Sequence, residues 1–125
     1  MAKPVSAAGR LAPCPRTPNC VSTEAPAGPR HMDPIPYTGP LAQARAKLLE
    51  VLRNHPRTKI VAEEADYLKA ECRSEIFRFV DDVEFLFDDA AKRIHFRSAS
   101  RLGRKDFGVN RKRMEEISAA FRDAR

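Results

Sequence analysis

Proline is distributed very unevenly along this 125-residue chain, and that distribution constrains the fold more than any other feature. Nine of the ten prolines and three of the five glycines lie in residues 1–40. Each proline fixes its own φ, lacks an N–H donor and turns the preceding residue away from helical angles. Residues 1–40 are therefore predicted to form no helix, and a strand of a hydrogen-bonded ladder is not expected there. The packed core has to come mainly from residues 41–125.

The proline-rich segment nevertheless carries apolar side chains that a pure linker would not need. We therefore expect residues 11–40 to form an irregular arm packed on a single domain that spans residues 11–125. Residues 1–10 are expected to form a disordered tail. The apolar residues of the arm are Leu11, Val21, Met32, Ile35 and Tyr37.

Apolar residues recur with the helical period of 3.6 directly after Pro40. This stripe predicts a helix that ends near Asn54, because Pro56 disfavours helical angles at the residue before it. A second helix is predicted near the C-terminus, with Gly108 as the positive-φ residue of the preceding loop and Asn110 as the N-cap. The two stripes consist of Leu41, Ala44, Leu48, Val51 and Leu52, and of Met114, Ile117 and Phe121.

Between the two helices the apolar period falls to two, which is typical of strands with one buried face. The alternation predicts strands at residues 58–62, 67–74, 77–87 and 92–98, with residues 88–91 as a hairpin turn. An antiparallel sheet of about four strands, covered on one face by two amphipathic helices, is a two-layer α+β fold. Residues 41–125 are thus expected to form a helix–sheet–helix core.

Charge is segregated along the chain behind a formal net charge of +6. Residues 63–91 contain ten acids and three bases, whereas residues 92–113 contain nine bases and one acid. Strands of opposite sign predict cross-strand ion pairs, for example between Glu84 and Arg93 or Arg97. The alternative is an anion site where the basic loop meets the last helix, because arginines there could chelate phosphate or carboxylate. Nucleic-acid binding is not expected, since the basic run has few aromatic residues and no recognised motif.

The cysteines give no strong indication of a metal or catalytic site. Cys14 and Cys20 lie in a turn stiffened by prolines and could close as a disulfide in an oxidising compartment. A metal site built on these two cysteines and His31 would match no standard zinc spacing, so no metal and no cofactor is predicted. Cys72 falls on the apolar side of its strand and is predicted to be buried.

Several short motifs together resemble the uncharacterised domain-of-unknown-function family 1499, from about Leu11 to the last helix. The resemblance implies no catalytic residue, because that family has no established biochemical activity. The matching stretches are Leu11–Pro15, Thr17–Ser22, His31 with Pro34, Tyr67–Glu71 with Arg73–Ser74, Phe79–Phe85, Arg97–Arg101, and Gly108–Arg113 with Glu115.

Members of this family often follow an exported or membrane-anchored N-terminus, and the present sequence departs from that pattern. Its first 13 residues contain no apolar leader, and no apolar run is long enough to span a membrane. We therefore expect a soluble protein that is cytoplasmic if Met1 is the native start and exported otherwise.

The polar motif residues support three hypotheses about function, of which we favour the first. It is a non-catalytic binding or accessory domain for a small anion or a protein partner, in which Asp81 or Asp82 orients the arginines of an anion-accepting pocket. The second is a structural ion-pair network that fixes the arm and the last helix, with a protein-partner role. The third is a hydrolase or isomerase of an anionic substrate with one of these carboxylates as the base, although neighbours on a strand point to opposite faces. The predicted ligand-binding residues are Arg73, Arg97, Ser98, Ser100, Arg101, Asn110 and Arg111.

Overall fold

The computed structural model describes residues 11–14, 19–74, 79–101 and 108–124. Two helices cover one face of a six-stranded antiparallel sheet, which confirms the α+β class and the two predicted helices. In chain order the elements are β1 (Cys20–Ser22), β2 (Ile35–Pro36), α1 (Leu41–Asn54), β3 (Thr58–Glu64), β4 (Tyr67–Arg73), β5 (Val80–Asp88), β6 (Arg93–Ser100) and α2 (Val109–Asp123). Within the sheet the order is β1-β6-β5-β4-β3, and β2 also pairs with β6.

Helix α1 has the predicted bounds, and prolines lie on both sides of it. It begins directly after Pro40 and ends at Asn54. His55 follows with φ −84° and ψ 131°, which is the extended conformation that Pro56 imposes on the residue before it. The apolar stripe is buried against the sheet, and Leu48 and Leu52 are fully inaccessible to solvent.

Helix α2 begins earlier than predicted, and the N-cap at Asn110 is wrong. Gly108 is the N-cap and has a left-handed φ of 81°, as expected for the residue that turns the loop into the helix. Asn110 is the second helical residue and is completely buried. Its side-chain amide is engaged by the sheet and by the segment before β1, so it does not cap the helix.

The four predicted strands are present as β3 to β6, but the sheet contains two further strands. Both lie in the proline-rich segment: β1 pairs with residues 97–99 of β6, and β2 pairs with Ile94 and Arg93. The expectation that this segment forms no strand is therefore wrong, and an irregular arm is not confirmed. Elements of three and two residues are too short to show an alternating pattern, and Pro36 is tolerated because β2 lies at an edge of the sheet.

The main core lies between the sheet and the two helices. On the opposite face of the sheet, Leu11 packs on Tyr67 and Leu86 in a smaller buried cluster. Cys72 is buried in the main core, as predicted. Large apolar side chains of the main core include Phe85, Phe87, Phe96, Leu48, Leu52, Met114, Ile117 and Phe121.

Two sequence predictions fall outside the described residues. These are the tail at residues 1–10 and residues 102–107 of the basic loop, so the division into a tail and one domain stays a prediction. Neither of the described helices is long and apolar enough to cross a bilayer.

Candidate functional site

The predicted site residues lie on two opposite faces of the sheet and do not converge in one pocket. Successive residues of a strand point to alternate faces, so Asp81 and Asp82 are separated, as the sequence indicates. Asp81 lies on the helix-covered face, where it pairs with Arg113 of α2. Asp82 lies on the other face, where it pairs with Arg101 and is 3.9 Å from Lys69.

On the helix-covered face, the polar motif residues form a buried network around Asn110. The Ser98 hydroxyl donates to Asn110 Oδ1 at 2.6 Å, and Arg113 Nη1 donates to the same oxygen at 2.9 Å. Asn110 Nδ2 donates to the Asn19 carbonyl and to Ser100 Oγ, both at 3.1 Å. The amide of Asn110 therefore uses two donors and two acceptor positions inside the protein. Ser98, Ser100 and Asn110 join β6, α2 and the segment before β1.

Arg113 is a central member of this network that sequence reasoning did not select. Its Nη2 donates to Asp81 Oδ2 at 2.7 Å, and both side chains are more than nine-tenths buried. A sequence signal existed, because residue 113 is adjacent to Met114 and three residues after Asn110, on the apolar side of α2. Because Arg113 is also one of nine bases in a charged run, composition alone does not distinguish it from the exposed bases of that run.

On the other face, Glu84 is a carboxylate with no exposure to solvent. It accepts a hydrogen bond from the Tyr67 hydroxyl at 2.6 Å and lies 3.4 Å from Arg97 Nη1, directly across the strand pair. Of the two partners that the sequence offered for Glu84, Arg97 is therefore the observed one, and Arg93 lies opposite Asp88. Burial raises the pKa of Glu84, although Tyr67 and Arg97 act in the opposite direction. The Nε of Arg97 is buried and has no hydrogen-bond acceptor among the described residues.

Arg101 and Arg111 are also engaged within the protein. Arg101 donates to both oxygens of Asp82, at 2.9 and 3.0 Å, and to Glu71 at 2.7 Å. These bonds raise its pKa further above the ordinary value. Arg111 Nη2 donates to the Pro29 and His31 carbonyls at 2.7 and 2.9 Å, which fixes the chain that leads into β2. Neither guanidinium is held open for a ligand.

Arg73 differs from the other predicted ligand residues because it lines a groove. Its side chain is 47% exposed, and its only acidic contact among the described residues is Glu71 at 3.9 Å. The groove has a volume of about 700 Å³ and lies where α1 ends, β3 begins and β4 ends. We call it the basic groove, defined by the cationic residues Arg53, Arg57, Lys59 and Arg73, together with His55 and Glu71.

Arg57 and Arg73 are clasped together at the floor of the basic groove. The Arg73 amide donates to the Arg57 carbonyl at 3.0 Å, and Arg57 Nε donates to the Arg73 carbonyl at 3.3 Å. Arg57 has a φ of 53°, a left-handed conformation that an arginine rarely adopts. Within the described part of the chain, Arg53, Arg57 and Lys59 form no ion pair with an acid. Sequence reasoning missed these three residues because they lie outside the strongly basic run.

His55 is held firmly at one side of the basic groove. Its Nδ1 lies 3.0 Å from Thr58 Oγ1, and its Nε2 lies 3.5 Å from a carboxylate oxygen of Glu116 on α2. Thr58 Oγ1 also contacts the thiol of Cys72 at 3.5 Å. Burial raises the pKa of Cys72, so this cysteine is a protonated thiol rather than a reactive thiolate near neutral pH.

Cys14 and Cys20 are joined in a disulfide, with their Cα atoms 5.7 Å apart. His31 instead contacts the Ala25 carbonyl through Nδ1 at 2.9 Å, and its Nε2 is 3.4 Å from Asp33. Among the described ranges there is no group of three or more histidine, cysteine, aspartate or glutamate residues that could hold a metal ion. The alternative metal site at these cysteines therefore has no support from the described residues.

Comparison with known proteins identifies the family. A family model described as "Protein of unknown function (DUF1499)" matches residues 10–121, which is most of the chain, so the chain belongs to that family. This confirms the resemblance that the motifs indicated. No curated protein and no solved structure is significantly similar to the chain.

Proposed function

We propose that this member of the DUF1499 family is a non-catalytic binding domain that accepts an anionic group of its ligand in the basic groove. The proposal keeps Arg73 from the predicted anion site and replaces the other predicted ligand residues with Arg53, Arg57 and Lys59. One observation carries it: four cationic side chains line one concave surface whose single described carboxylate, Glu71, is already bonded to Arg101. An anion is the partner that such a surface lacks.

A second and larger groove, of about 860 Å³, is less well suited to an anion. It lies between α1, the end of α2 and the residues around β2. Its cations are Lys47 and Arg122, and Glu50 supplies a charge of opposite sign. The ammonium of Lys47 already lies 4.4 Å above the centre of the Phe121 ring. This groove is the weaker candidate because Glu50 offsets its positive charge and Lys47 already contacts the Phe121 ring.

For the other six predicted ligand residues, we propose the structural role of the second hypothesis. Ser98, Ser100 and Asn110 bond to one another or to the backbone in a buried site, and Arg111 holds two carbonyls. The enzyme hypothesis gains no support from the carboxylates that it needs, since Asp81 and Asp82 lie on opposite faces and both are ion-paired.

The proposal predicts that inorganic phosphate stabilises the protein and that Arg57→Gly strongly reduces this effect without unfolding the protein. Ligand at ten times its Kd stabilises a folded protein by about 1.4 kcal/mol, which raises Tm by several degrees. Glycine adopts a φ near 53° without the cost of roughly 1 kcal/mol that a residue with a side chain incurs, and this gain offsets the loss of the exposed bond from Arg57 Nε to the Arg73 carbonyl. The variant should therefore be about as stable as the parent. Thermal unfolding with and without phosphate at low ionic strength measures both effects.

Arg45→Ala is the matched control. Arg45 is a partly exposed arginine of α1 that lies outside the basic groove and contacts Glu63 and the Glu64 carbonyl. Its removal should leave the phosphate-induced shift unchanged. Equal shifts in the parent and in Arg57→Gly, or no shift in the parent, would contradict the proposal.

A further inference from the structure

We infer that the ligand of the basic groove is a small molecule that carries at least two linked phosphoryl groups, such as a diphosphate or a longer polyphosphate chain. This inference rests on the proposed function and goes further, because it names the chemistry of the ligand. Three observations support it: the charge of the groove, the hydrogen bonds that hold Arg57 next to Arg73, and the lack of a phenylalanine, tyrosine or tryptophan among the described lining residues.

The charge of the basic groove exceeds what a single monoanion neutralises. Among the described residues, four cationic side chains and one carboxylate give the lining a charge of +3, and Glu71 is shared with Arg101 outside the groove. A bound carboxylate or chloride would leave most of this charge uncompensated. A chain of linked phosphoryl groups supplies two to four negative charges in one molecule and so matches the lining.

The clasp between Arg57 and Arg73 fixes two cationic residues side by side before any ligand arrives. Their backbones are joined by the Arg73 amide, and Arg57 Nε is used to bind the Arg73 carbonyl. The two terminal nitrogens of Arg57 have no described hydrogen-bond acceptor and stay available. Planar guanidinium groups bind phosphoryl oxygens in a bidentate manner, whereas an ammonium acts as a point charge. Arg53 and Lys59, from α1 and β3, add two further cations to the lining of the groove.

The backbone at Arg57 has a left-handed conformation that, among the described non-glycine residues, it shares with Lys92. A left-handed φ costs an arginine about 1 kcal/mol, and glycine or asparagine would occupy the same turn at less cost. Strained backbone of this kind concentrates at ligand-binding positions. The antiparallel pairing of β3 with β4 places Arg57, directly before β3, next to Arg73 at the end of β4.

The basic groove offers little to a nucleobase, which argues against single-stranded nucleic acid as the ligand. Sites for single strands combine a cationic track with aromatic side chains on which bases stack. No phenylalanine, tyrosine or tryptophan lines this groove among the described residues. Of the described lining residues, His55 has the only aromatic ring, and its two nitrogens already contact Thr58 and Glu116.

Calorimetric titration with orthophosphate, pyrophosphate and tripolyphosphate at one pH and one ionic strength tests the inference. We expect Kd to fall at least tenfold from orthophosphate to pyrophosphate and to fall again for tripolyphosphate, because each added phosphoryl group contacts a further cation. Citrate, a polycarboxylate of similar charge, should bind more weakly than pyrophosphate. Arg57→Gly and Arg73→Gln should each weaken pyrophosphate binding by roughly tenfold or more, and Arg45→Ala should not weaken it.

The outcomes separate this inference from the proposed function. Orthophosphate binding that depends on Arg57, together with pyrophosphate binding that is no tighter, would refute the inference of linked phosphoryl groups. The proposed anion site would then remain supported. If citrate binds as tightly as pyrophosphate, the ligand is selected by charge alone and the phosphoryl class is refuted. A single-stranded oligonucleotide that binds more tightly than tripolyphosphate, in a manner that depends on Arg57, would refute the small molecule and identify nucleic acid as the ligand. If none of these anions binds, both the inference and the proposed function are refuted.

Discussion

At the scale of single residues, the least solvated charge in the described protein is the carboxyl group of Glu84. It has no exposure, accepts a hydrogen bond from Tyr67 and forms an ion pair with Arg97, and Lys69 lies opposite it on β4. Its pKa in the folded state is raised above the ordinary value. A raised pKa means that this group favours the folded state below its ordinary pKa and disfavours it as pH rises through the folded-state value. The contact with Arg97 reduces that penalty at neutral pH.

Arg97→Ala should therefore destabilise the protein at pH 7 by about 3 kcal/mol, because it leaves a buried carboxylate without its cation. The loss should become smaller as pH falls toward 5, since protonation of Glu84 removes the unpaired charge. Urea unfolding at both pH values measures the two effects. Arg93→Ala, an exposed arginine four residues earlier on β6, is the control and should change stability by less than about 0.5 kcal/mol. A loss that stays the same at both pH values would show that Glu84 is not the group responsible.

At the scale of elements, polar contacts as well as apolar burial attach α2 to the sheet. Met114, Ile117 and Phe121 bury its apolar stripe, and Arg113 adds an ion pair to Asp81 of β5. A buried ion pair pays a large desolvation cost, so the pair specifies how the helix lies more than it stabilises the fold. Replacement of both Asp81 and Arg113 by apolar residues should therefore lower the free energy of unfolding less than replacement of Arg113 alone.

Arg113→Met should cost about 3 kcal/mol, because Asp81 is left charged and buried. The double variant Asp81→Val/Arg113→Met should recover part of that loss, since valine suits a buried strand position and no charge remains. Urea unfolding of the parent, of Arg113→Met, of Asp81→Val and of the double variant gives the coupling energy. A double variant that is less stable than Arg113→Met would show that the ion pair stabilises the fold outright.

At the scale of the whole molecule, the second face of the sheet is closed by a segment far from it in sequence. Leu11 packs on Tyr67 and Leu86, and its amide donates to Glu24 at 3.0 Å. The disulfide between Cys14 and Cys20 ties this segment to β1, which pairs with β6. The cross-link thus holds an apolar cover next to the buried Glu84.

Reduction of this disulfide should destabilise the protein by about 2 kcal/mol, because the open form of the chain regains conformational entropy when it unfolds. Thermal unfolding with and without dithiothreitol measures the loss as a lower Tm. The double variant Cys14→Ser/Cys20→Ser should unfold at the lower temperature in both conditions. An identical Tm for the parent with and without the reductant would contradict this prediction.

Charged residues are also unevenly distributed between the two ends of the sheet. The end of the sheet where β3 begins and β4 ends carries the basic groove. The opposite end, where β3 turns into β4 and β5 turns into β6, carries five acids: Glu63, Glu64, Asp66, Asp88 and Asp89. The acids of that end are partly neutralised, because Arg45 contacts Glu63 and Lys92 pairs with Asp89.

Much of the fold could be predicted from the sequence, because helices and half-buried strands have local periods. The bounds of α1 follow from Pro40 and Pro56 together with one apolar stripe, and Gly108 was identified as the turn residue before α2. The two short strands could not be predicted. Their pairing depends on β6, whose partner residues lie some 60 to 80 positions away, and they are too short to have a period.

The candidate site was predicted much less well, and Arg101 and Arg57 show why. Arg101 belongs to a basic run of the kind that favours an anion site. Its guanidinium, however, is bonded to Glu71, thirty residues earlier in the chain, and to Asp82. Arg57 stands in an unremarkable turn, but it meets Arg73 because β3 and β4 pair. Local composition identifies charged side chains and does not identify which of them are neutralised.

The sequence by itself therefore determined the family, the two helices with their apolar stripes, and the four longer strands. These properties depend on neighbours in the chain and on prolines that restrict their own backbone. The uneven distribution of proline did not exclude strands from residues 11–40. Only the tertiary structure decided which cations have acidic partners and which remain open in a groove, because ion pairing depends on strand register and on distances between remote segments.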